Sequence, residues 1–362
     1  MTTLVRPAPA AASEREAFVH ELFRVGGARV TGGNSVRLLR DGPFFDVMLQ
    51  LIREARTAVA LESYVFRSDE VGIAVANELV AAARRGVAVR LIYDWVGSRG
   101  TPRSFARALR RGGVEVLVFG RPTLRRRWFG LVPRDHRKLL VVDGAAGVIG
   151  GVGVGHEWVR GSRPAGERWR DTAVVIRGPA ARDMAAAFEH LWRRAVGGPR
   201  RSAERAPPPL VLPERTAVVG IVEGEPGRLR IARMLHVQAA LARQRIWIAD
   251  AYFTPSFGEL EALTGAARDG VDVRLLVPGR TDHSWITRIT RRYYRRLLEN
   301  GVRVWEWNGE MMHAKTGVVD GRSAIDRRPV GPRTRARYGT GRRRDADYRR
   351  RGPMSAPSRS IS

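Results

Sequence analysis

The chain has 362 residues, with 64 Lys or Arg against 36 Asp or Glu, which gives a formal net charge of +28 at pH 7. It contains no cysteine, so disulfide bonds, cysteine–zinc sites and a thiol nucleophile are excluded. No apolar run reaches the ~20 residues that a membrane-crossing helix needs, so we expect any membrane contact to be peripheral. The charge favours a polyanionic partner, either nucleic acid or an anionic lipid surface, with an ordinary solvated Arg-rich surface as the alternative.

The predicted elements form an internal repeat of strand–helix–strand units. In the first copy, residues 59–66 predict a buried strand, residues 71–85 predict a helix, and a second strand follows Gly86. In the second copy, residues 246–253 predict the strand, and the next strand follows Gly270. Units of this kind imply a parallel or mixed sheet that is covered by helices.

The repeat divides the chain into two halves with flanking segments. A stretch rich in Gly, Pro and Arg at residues 197–215 predicts a linker between the halves. Residues 1–33 predict a polar, partly helical lead-in. Residues 323–362 are rich in Arg, Pro and Ser without a helical or strand period, which predicts a disordered tail. The first half then covers residues 34–196, and the second half covers residues 216–322.

Each half ends in the same pattern, His-x-Lys-x-x-x-x-Asp, in which one residue separates His from Lys and four residues separate Lys from Asp. The two copies consist of His136, Lys138 and Asp143, and of His313, Lys315 and Asp320. Alternation along a strand would place the His and the Lys of each copy on one face. Lys138 and Lys315 are the only lysines in the sequence, so both sites favour a compact ammonium where Arg serves everywhere else.

The other histidines give no sign of a metal centre. Neither motif is accompanied by a His-x-x-x-His pattern or by clustered carboxylates, so we expect no metal and no cofactor. The remaining histidines are predicted to be incidental, and they are His20, His156, His190, His236 and His283.

Two copies of this motif in one chain resemble the phospholipase D superfamily, and the surroundings resemble its cardiolipin synthase branch. The similarity runs from about Asn34 to Arg322, and its soluble type, without membrane helices, is the nearer match. The segments that carry it are residues 34–42, 61–66, 149–151, 169–172 and 251–255. The resemblance implies an α/β fold in which two α-β-α sandwich halves are related by pseudo-twofold symmetry and share one active site.

The resemblance also implies a covalent mechanism at phosphorus. One His attacks a phosphodiester to form a phosphohistidine, while the other protonates the leaving alcohol and deprotonates the incoming one. We expect His136 to be the nucleophile and His313 the acid and base, with Lys138 and Lys315 stabilising the phosphoryl oxygens. Asp171 resembles the carboxylate that the family places near the first site, with a surface strand end as the alternative.

The two motif aspartates are assigned a supporting role. We include Asp143 and Asp320 among the site residues, but we expect them to be structural partners in the shell of the site rather than proton carriers.

The resemblance implies a phosphatidyltransferase that makes cardiolipin or a related phospholipid from a phosphatidylglycerol-like substrate. Such an enzyme would lie in the cytoplasm, bound peripherally to the inner face of the cell membrane. Two clusters of basic and aromatic residues suit an anionic interface, at residues 125–129 and 291–296, with ordinary Arg-rich surface as the alternative. Two other functions stay open: a nuclease or phosphodiesterase of the same superfamily, and a catalytically impaired relic.

The sequence departs from the family pattern in two places. Gly153 stands where the family has an Asn after the first motif. The corresponding Gly-Ser-x-Asn segment after the second motif is missing, because the Arg-rich tail follows Arg322. We interpret the second half as truncated and hypothesise a frameshift near or after Arg322.

Overall fold

The computed structural model describes residues 2–5, 21, 24–27, 29–41, 43–121, 134–159, 169–197, 217–223, 230–321 and 323–326. These residues form fourteen β-strands and eight α-helices, and all of the strands lie in one mixed sheet. The predicted α/β class is therefore confirmed. The sheet consists of two blocks of seven strands, which repeat the same spatial order.

The first block begins at Arg29, within the predicted lead-in. Its strands are β2 (Arg29–Arg40), β3 (Ala58–Ser63), β4 (Ala88–Asp94), β5 (Glu115–Phe119), β6 (Leu139–Val142), β7 (Ala146–Gly150) and β8 (Thr172–Arg177). Its helices are α1 (Pro43–Glu54), α2 (Glu70–Arg84), α3 (Arg103–Arg111) and α4 (Ala180–Val196). The spatial order is β5-β4-β3-β6-β7-β8-β2, in which β3, β4 and β5 run parallel and β6 joins β3 antiparallel.

The second block repeats this arrangement. Its strands are β1 (Thr2–Val5), β9 (Ala217–Ile221), β10 (Arg245–Asp250), β11 (Asp272–Pro278), β12 (Arg303–Trp307), β13 (Lys315–Val319) and β14 (Ser323–Asp326). Its helices are α5 (Arg230–Leu241), α6 (Phe257–Arg268), α7 (Ser284–Arg292) and α8 (Tyr294–Glu299). The order is β12-β11-β10-β13-β14-β1-β9, and antiparallel pairing of β9 with β2 joins the blocks. The matching orders confirm the predicted relation between the halves.

The structure corrects two predicted boundaries. The composition predicts a disordered tail from residue 323 onward, but β14 pairs with both β13 and β1. The polar lead-in contains β1, which takes in the second block the position that β8 takes in the first. Four-residue strands with distant partners leave no local pattern, which is why composition missed both. Residues 327–362 of the predicted tail, to which the frameshift hypothesis applies, and residues 198–215 of the predicted linker lie outside the described residues.

Apolar side chains of the helices hold both blocks together. In the first block, α1, α2 and α3 cover one face of the sheet, and α4 covers the other by packing Met184 and Phe188 on it. In the second block, α5, α6 and α8 pack on β10, β11 and β12, where Leu260, Leu263 and Leu297 are buried. Burial of this apolar surface is the main favourable contribution to the stability of the fold.

The topology places both motifs at one kind of position. Glu62 near the end of β3 pairs with Leu139 at the start of β6, and Asp250 at the end of β10 pairs with Lys315 at the start of β13. The first motif therefore leads into β6 beside the carboxyl end of β3, and the second motif leads into β13 beside the carboxyl end of β10. This edge is where open α/β sheets commonly bind ligands.

Candidate active site

The second motif meets a carboxylate from the first block. The Nδ1 atom of His313 lies 2.8 Å from Oδ2 of Asp171, which is 1% exposed. The same oxygen accepts a hydrogen bond from Nε1 of Trp158 at 3.1 Å, and Oδ1 accepts one from the backbone N–H of Thr172. Burial acts to raise the pKa of Asp171, but His313 and Lys315 outweigh it, so the pKa lies below the usual value. An ionised Asp171 fixes the imidazole with Nδ1 protonated.

Backbone contacts hold this pair in register. The N–H of His313 donates to the carbonyl oxygen of Arg170 at 2.7 Å, and the N–H of Arg170 donates to that of Met311 at 2.7 Å. Asp41 fixes the other side of the segment, because its carboxylate accepts the N–H of Asp171 at 3.1 Å. The Arg170 guanidinium also lies over the ring of Trp307. The two blocks are thus tied together at the point where the second motif begins.

His313 lies in a dry and positively charged environment. Burial lowers its pKa most, the Lys315 ammonium lowers it further, and Asp171 opposes both, so that the pKa falls from 6.5 to about 4. Lys138 of the first motif also lowers it. Lys138 of the first motif therefore lies close enough to the second imidazole to act on its pKa.

Aromatic rings form the wall around the second imidazole. The ring centroids of Trp169, Tyr252 and Trp158 lie 5.0, 5.6 and 6.1 Å from that of His313. This apolar enclosure accounts for the desolvation of the imidazole. It leaves Nε2 as the nitrogen of His313 that can exchange a proton with a bound molecule.

The two lysines occupy equivalent environments. The Nζ atom of Lys138 donates to the carbonyl oxygen of His136 at 3.1 Å, and that of Lys315 donates to the carbonyl oxygen of His313 at 2.8 Å. Each ammonium also lies near a tyrosine ring, with Nζ of Lys138 5.1 Å from the centroid of Tyr64 and Nζ of Lys315 4.9 Å from that of Tyr252. Both side chains are more than 90% buried. Two fixed positive charges in a desolvated position suit an anionic group.

The first imidazole is more accessible than the second. His136 is exposed, and its ring stacks on Tyr64 with a centroid distance of 3.8 Å and an interplanar angle of 18°. Tyr252, the counterpart in the second block, donates its hydroxyl to Oδ1 of Asp282 at 2.8 Å. Burial, with the nearby Asp282 carboxylate, raises the pKa of Tyr252, so its hydroxyl stays protonated. Neither tyrosine was predicted as a site residue, although both lie just beyond the first strand of a repeat.

Asp143 and Asp320 lie away from this constellation. Each follows the motif strand at its far end and has a positive φ of 52°, which Asp tolerates better than most residues. The Asp143 carboxylate accepts the N–H groups of Arg56, Thr57 and Ala58, at 2.8 to 3.0 Å. Burial acts to raise the pKa of Asp143, but these hydrogen bonds dominate and lower it to about 2.

Asp320 makes the same three contacts in the second block, with the N–H groups that precede and begin β10. Each carboxylate thus binds the backbone at the start of the first parallel strand of its block, at the end of the motif strand that is far from the imidazole and the ammonium. A part for either aspartate in the active site stays a prediction.

Two glycines make room for the carboxylate and for Trp158. A Cβ atom at Gly151 would lie 2.0 Å from Oδ1 of Asp171, and one at Gly153 would lie 2.7 Å from the ring of Trp158. The position where the resemblance implies an Asn is therefore filled by the indole. Sequence patterns gave no signal for this replacement, because Trp158 follows in a short 3₁₀ turn, His156–Trp158.

The remaining predicted features contribute little to the site. Residues 125–129 lie outside the described residues. In the cluster at 291–296, Arg291 pairs with Glu306, Arg295 with Glu299 and Arg296 with Glu261, which favours the ordinary-surface alternative there. Within the described ranges, no helix combines the length and apolarity that crossing a bilayer demands.

Comparison with known proteins identifies relatives of the whole arrangement. A profile of the family described as "Cardiolipin synthase, PLD-like domain" matches residues 48–192 and 236–326, together more than half of the chain. The cardiolipin synthase of Geobacillus thermodenitrificans (strain NG80-2) is 33% identical over 316 residues, covering 86% of this chain and 63% of the relative. Cardiolipin synthase A of Pseudomonas putida (strain W619) is 32% identical over 318 residues, covering 85% and 64%. The chain thus spans under two thirds of the length of these relatives.

A solved structure shares the fold. Phosphatidylserine synthase of Haemophilus influenzae Rd KW20 superposes with a TM-score of 0.62 at 14% sequence identity, covering 86% of this chain and 81% of that one. At this identity the likeness concerns the arrangement of strands and helices, which agrees with the two repeated blocks.

Proposed function

The chain belongs to the family of cardiolipin synthase phospholipase D-like domains, and from this premise we propose that it is a phosphatidyltransferase with a phosphohistidine intermediate. The observation that carries the proposal is the convergence of the two motifs, in which Lys138 acts on the pKa of His313 and Asp171 of the first block binds its ring. The proposed reaction moves a phosphatidyl group from phosphatidylglycerol, or a related phospholipid, to a hydroxyl group of a second lipid.

In the first proposed step, the donor phosphodiester is cleaved. Nε2 of His136 attacks phosphorus and forms a P–N bond, while the bond from phosphorus to the leaving alcohol breaks. The alcohol takes a proton from Nε2 of His313. The exposure of His136 supports its role as the attacking group, because the donor must reach it from solvent or from a lipid surface.

In the second proposed step, the proton returns. Neutral His313 accepts the proton of the incoming hydroxyl, whose oxygen attacks phosphorus as the P–N bond to His136 breaks. The hydrogen bond from Nδ1 to Asp171 keeps Nε2 of His313 available in both steps and stabilises the imidazolium when it forms.

The lowered pKa of His313 is consistent with this cycle. Lys315 and Lys138 both disfavour a protonated His313. A bound phosphodiester anion lies between these charges and offsets them, which raises the pKa of His313 towards the range where it can act as an acid. Binding of the substrate thereby loads the acid with its proton. The same ammonium groups stabilise the negative charge that develops on the phosphoryl oxygens.

The aromatic enclosure favours transfer over hydrolysis. Trp158, Trp169 and Tyr252 surround His313 and leave an apolar environment in which water competes poorly with a lipid hydroxyl. Beside this wall, the ring of His283 contacts both Tyr252 and the half-exposed Trp285 at the start of α7. An exposed Trp on an Arg-containing helix suits the interface of an anionic membrane. We therefore propose peripheral binding at the inner face of the cell membrane.

The experiment is a transfer assay with purified protein and phosphatidylglycerol vesicles, followed by mass spectrometry of the extracted lipids. We expect cardiolipin and glycerol from the unaltered protein, and neither from His136→Ala or His313→Ala. His236→Gln is the matched control, because Nδ1 of this ring bonds the carbonyl oxygen of Ala232 on its own helix, and the ring lies outside the site. Its activity should be unchanged.

Three results would contradict the proposal. A folded protein that releases no glycerol supports the impaired relic, and cleavage of plasmid DNA without lipid turnover supports the nuclease. Full activity of His136→Ala would exclude a covalent intermediate on His136.

A further inference from the structure

A cluster of buried charged side chains lies behind the first motif. Nε of Arg137, the residue between His136 and Lys138, donates to Oε1 of Glu62 on β3. Its backbone N–H donates to Oδ1 of Asp135 at 3.2 Å, and its Nη1 donates to the carbonyl oxygen of Ala187 on α4 at 3.2 Å. The cluster therefore faces α4, on the side of the sheet away from the imidazole and the ammonium.

These contacts hold both neighbours of His136. On one side, Arg137 is tied to Glu62. On the other, the N–H of Asp135 donates to Oδ2 of Asp94 at 3.0 Å. Tyr64, on which the His136 ring stacks, follows Glu62 by two residues. The segment at the end of β3 thus contacts the first motif twice. Glu62 forms an ion pair with Arg137, and Tyr64 stacks on the ring of His136.

The cluster is poorly suited to stabilise the fold. Burial raises the pKa of Glu62 well above its usual value, and Asp135 raises it further, while Arg137 opposes them. Among the described residues, Oε2 of Glu62, Oδ2 of Asp135 and Nη2 of Arg137 are buried and find no hydrogen-bond partner. Buried ion pairs of this kind are often replaced by apolar residues with no loss of stability.

The second block contains that replacement. By the equivalent strand registers of β3 with β6 and β10 with β13, Glu62 corresponds to Ala249. The motif alignment matches Asp135 and Arg137 with Met312 and Ala314, which are 1% and 5% exposed. The fold therefore accepts apolar residues at all three places. There, however, Asp171 orients the imidazole directly.

We propose that Glu62, Asp135 and Arg137 are positioning residues that fix the ring of His136 for attack on phosphorus. The inference rests on the proposed function for its kinetic consequence, but the geometry of the His136 ring can be measured without turnover. The cluster does for the first imidazole what Asp171 does for the second, acting through the backbone and Tyr64 rather than through a ring nitrogen.

The test gives the first block the residues of the second, in the variant Glu62→Ala/Asp135→Met/Arg137→Ala. The variant removes all three ionisable side chains of the cluster at once, so none of them is left buried without its partner. The melting temperature should therefore be preserved. We expect kcat for phosphatidyl transfer to fall by about 10- to 100-fold, as for a reacting group displaced by ~1 Å, with KM unchanged. In NMR spectra of histidine-labelled protein, the His136 ring signal should lose the shift that stacking on Tyr64 produces, while the His313 signal stays in place.

A matched control removes an ion pair from the same face of the sheet. Nη1 of Arg90 on β4 binds Oε2 of Glu189 on α4 at 2.6 Å. Arg90→Ala/Glu189→Ala should leave kcat and the His136 signal unchanged. Arg137→Lys keeps the charge but lacks the guanidinium fork, so it should retain part of the activity and of the ring shift.

The outcomes separate this inference from the proposed function. If the unaltered protein transfers no lipid, the proposed function fails, and the NMR signal alone decides the role of the cluster. An unchanged His136 signal in the folded triple variant overturns the inference, as does an unchanged kcat. If the triple variant does not fold, Arg137→Lys decides by the same two measurements, and wild-type values for both overturn it.

Discussion

Replacement of Asp171 by Asn tests how the second imidazole is held. The substitution keeps the shape but removes the negative charge 2.8 Å from Nδ1 of His313. A hydrogen bond to a charged group contributes about 1.5–3 kcal/mol. If it acts fully in the transition state, where each ~1.4 kcal/mol is tenfold in rate, kcat should fall by about 10- to 150-fold. The amide NH2 of Asn must also face a donor, either the backbone N–H of Thr172 at the Oδ1 position or Trp158 and His313 at the Oδ2 position, so some stability is lost as well.

The assay is kcat and KM for phosphatidyl transfer, together with an NMR titration of His313. Because Asp171 raises the pKa of His313, the variant should show a pKa below that of the unaltered protein. Asp272→Asn is the control, since this carboxylate pairs with Arg274 at the surface, where ion pairs contribute little. A folded Asp171→Asn protein with unchanged kcat and an unchanged His313 titration would show that the Asp171 carboxylate does not support the imidazole.

Three further predictions concern the stability of the folded protein. Since burial lowers the pKa of His313 from 6.5 to about 4, the unfolded chain binds the proton more tightly, so stability should fall by up to about 3 kcal/mol as the pH drops through that window. Thermal unfolding of His313→Gln at pH 4.5 and 7 should show a smaller difference than unaltered protein does. Asp143→Asn should lower stability by about 1–3 kcal/mol in urea unfolding while kcat per folded molecule is retained. Gly153→Asn should lower the melting temperature, because its Cβ would meet Trp158 at 2.7 Å, at a cost of about 1–3 kcal/mol. A wild-type stability profile in any of these experiments contradicts the corresponding contact.

Much of the site could be predicted from the sequence because its residues are rare in this chain and recur in a repeated motif. Lysine occurs only in the two motifs, so composition alone located Lys138 and Lys315. The repeat of strand and helix patterns predicted that both motifs lie at equivalent places, and the strand registers agree with this. Asp171 was found through the resemblance, and its contact with His313 required the fold.

What the sequence could not supply is contact between distant segments. The stacking of Tyr64 on His136 and the bond from Trp158 to Asp171 join residues with no common spacing. Strand β1 finds its place between β14 and β9, more than 200 residues away, and no local periodicity encodes that partner. The glycine at 153 looked like a lost Asn because the indole that fills its space follows only later in the chain.

The symmetry of the two blocks does not extend to the supports of the two imidazoles. His313 has a carboxylate on its ring, whereas His136 has a ring stack and a charged cluster behind its backbone. Dissimilar supports in similar folds suit two groups with different tasks, one that forms a covalent bond and one that moves a proton.

The most direct test of this division uses a phosphatidyl ester of p-nitrophenol, whose leaving group departs without a general acid. We expect His313→Ala to release a single burst of nitrophenolate and then to stall, with the phosphatidyl group found on His136 by peptide mass spectrometry. His136→Ala should give no burst. An adduct on His313, or steady turnover by either variant, would contradict the claim that the two motifs serve one phosphorus atom in different roles.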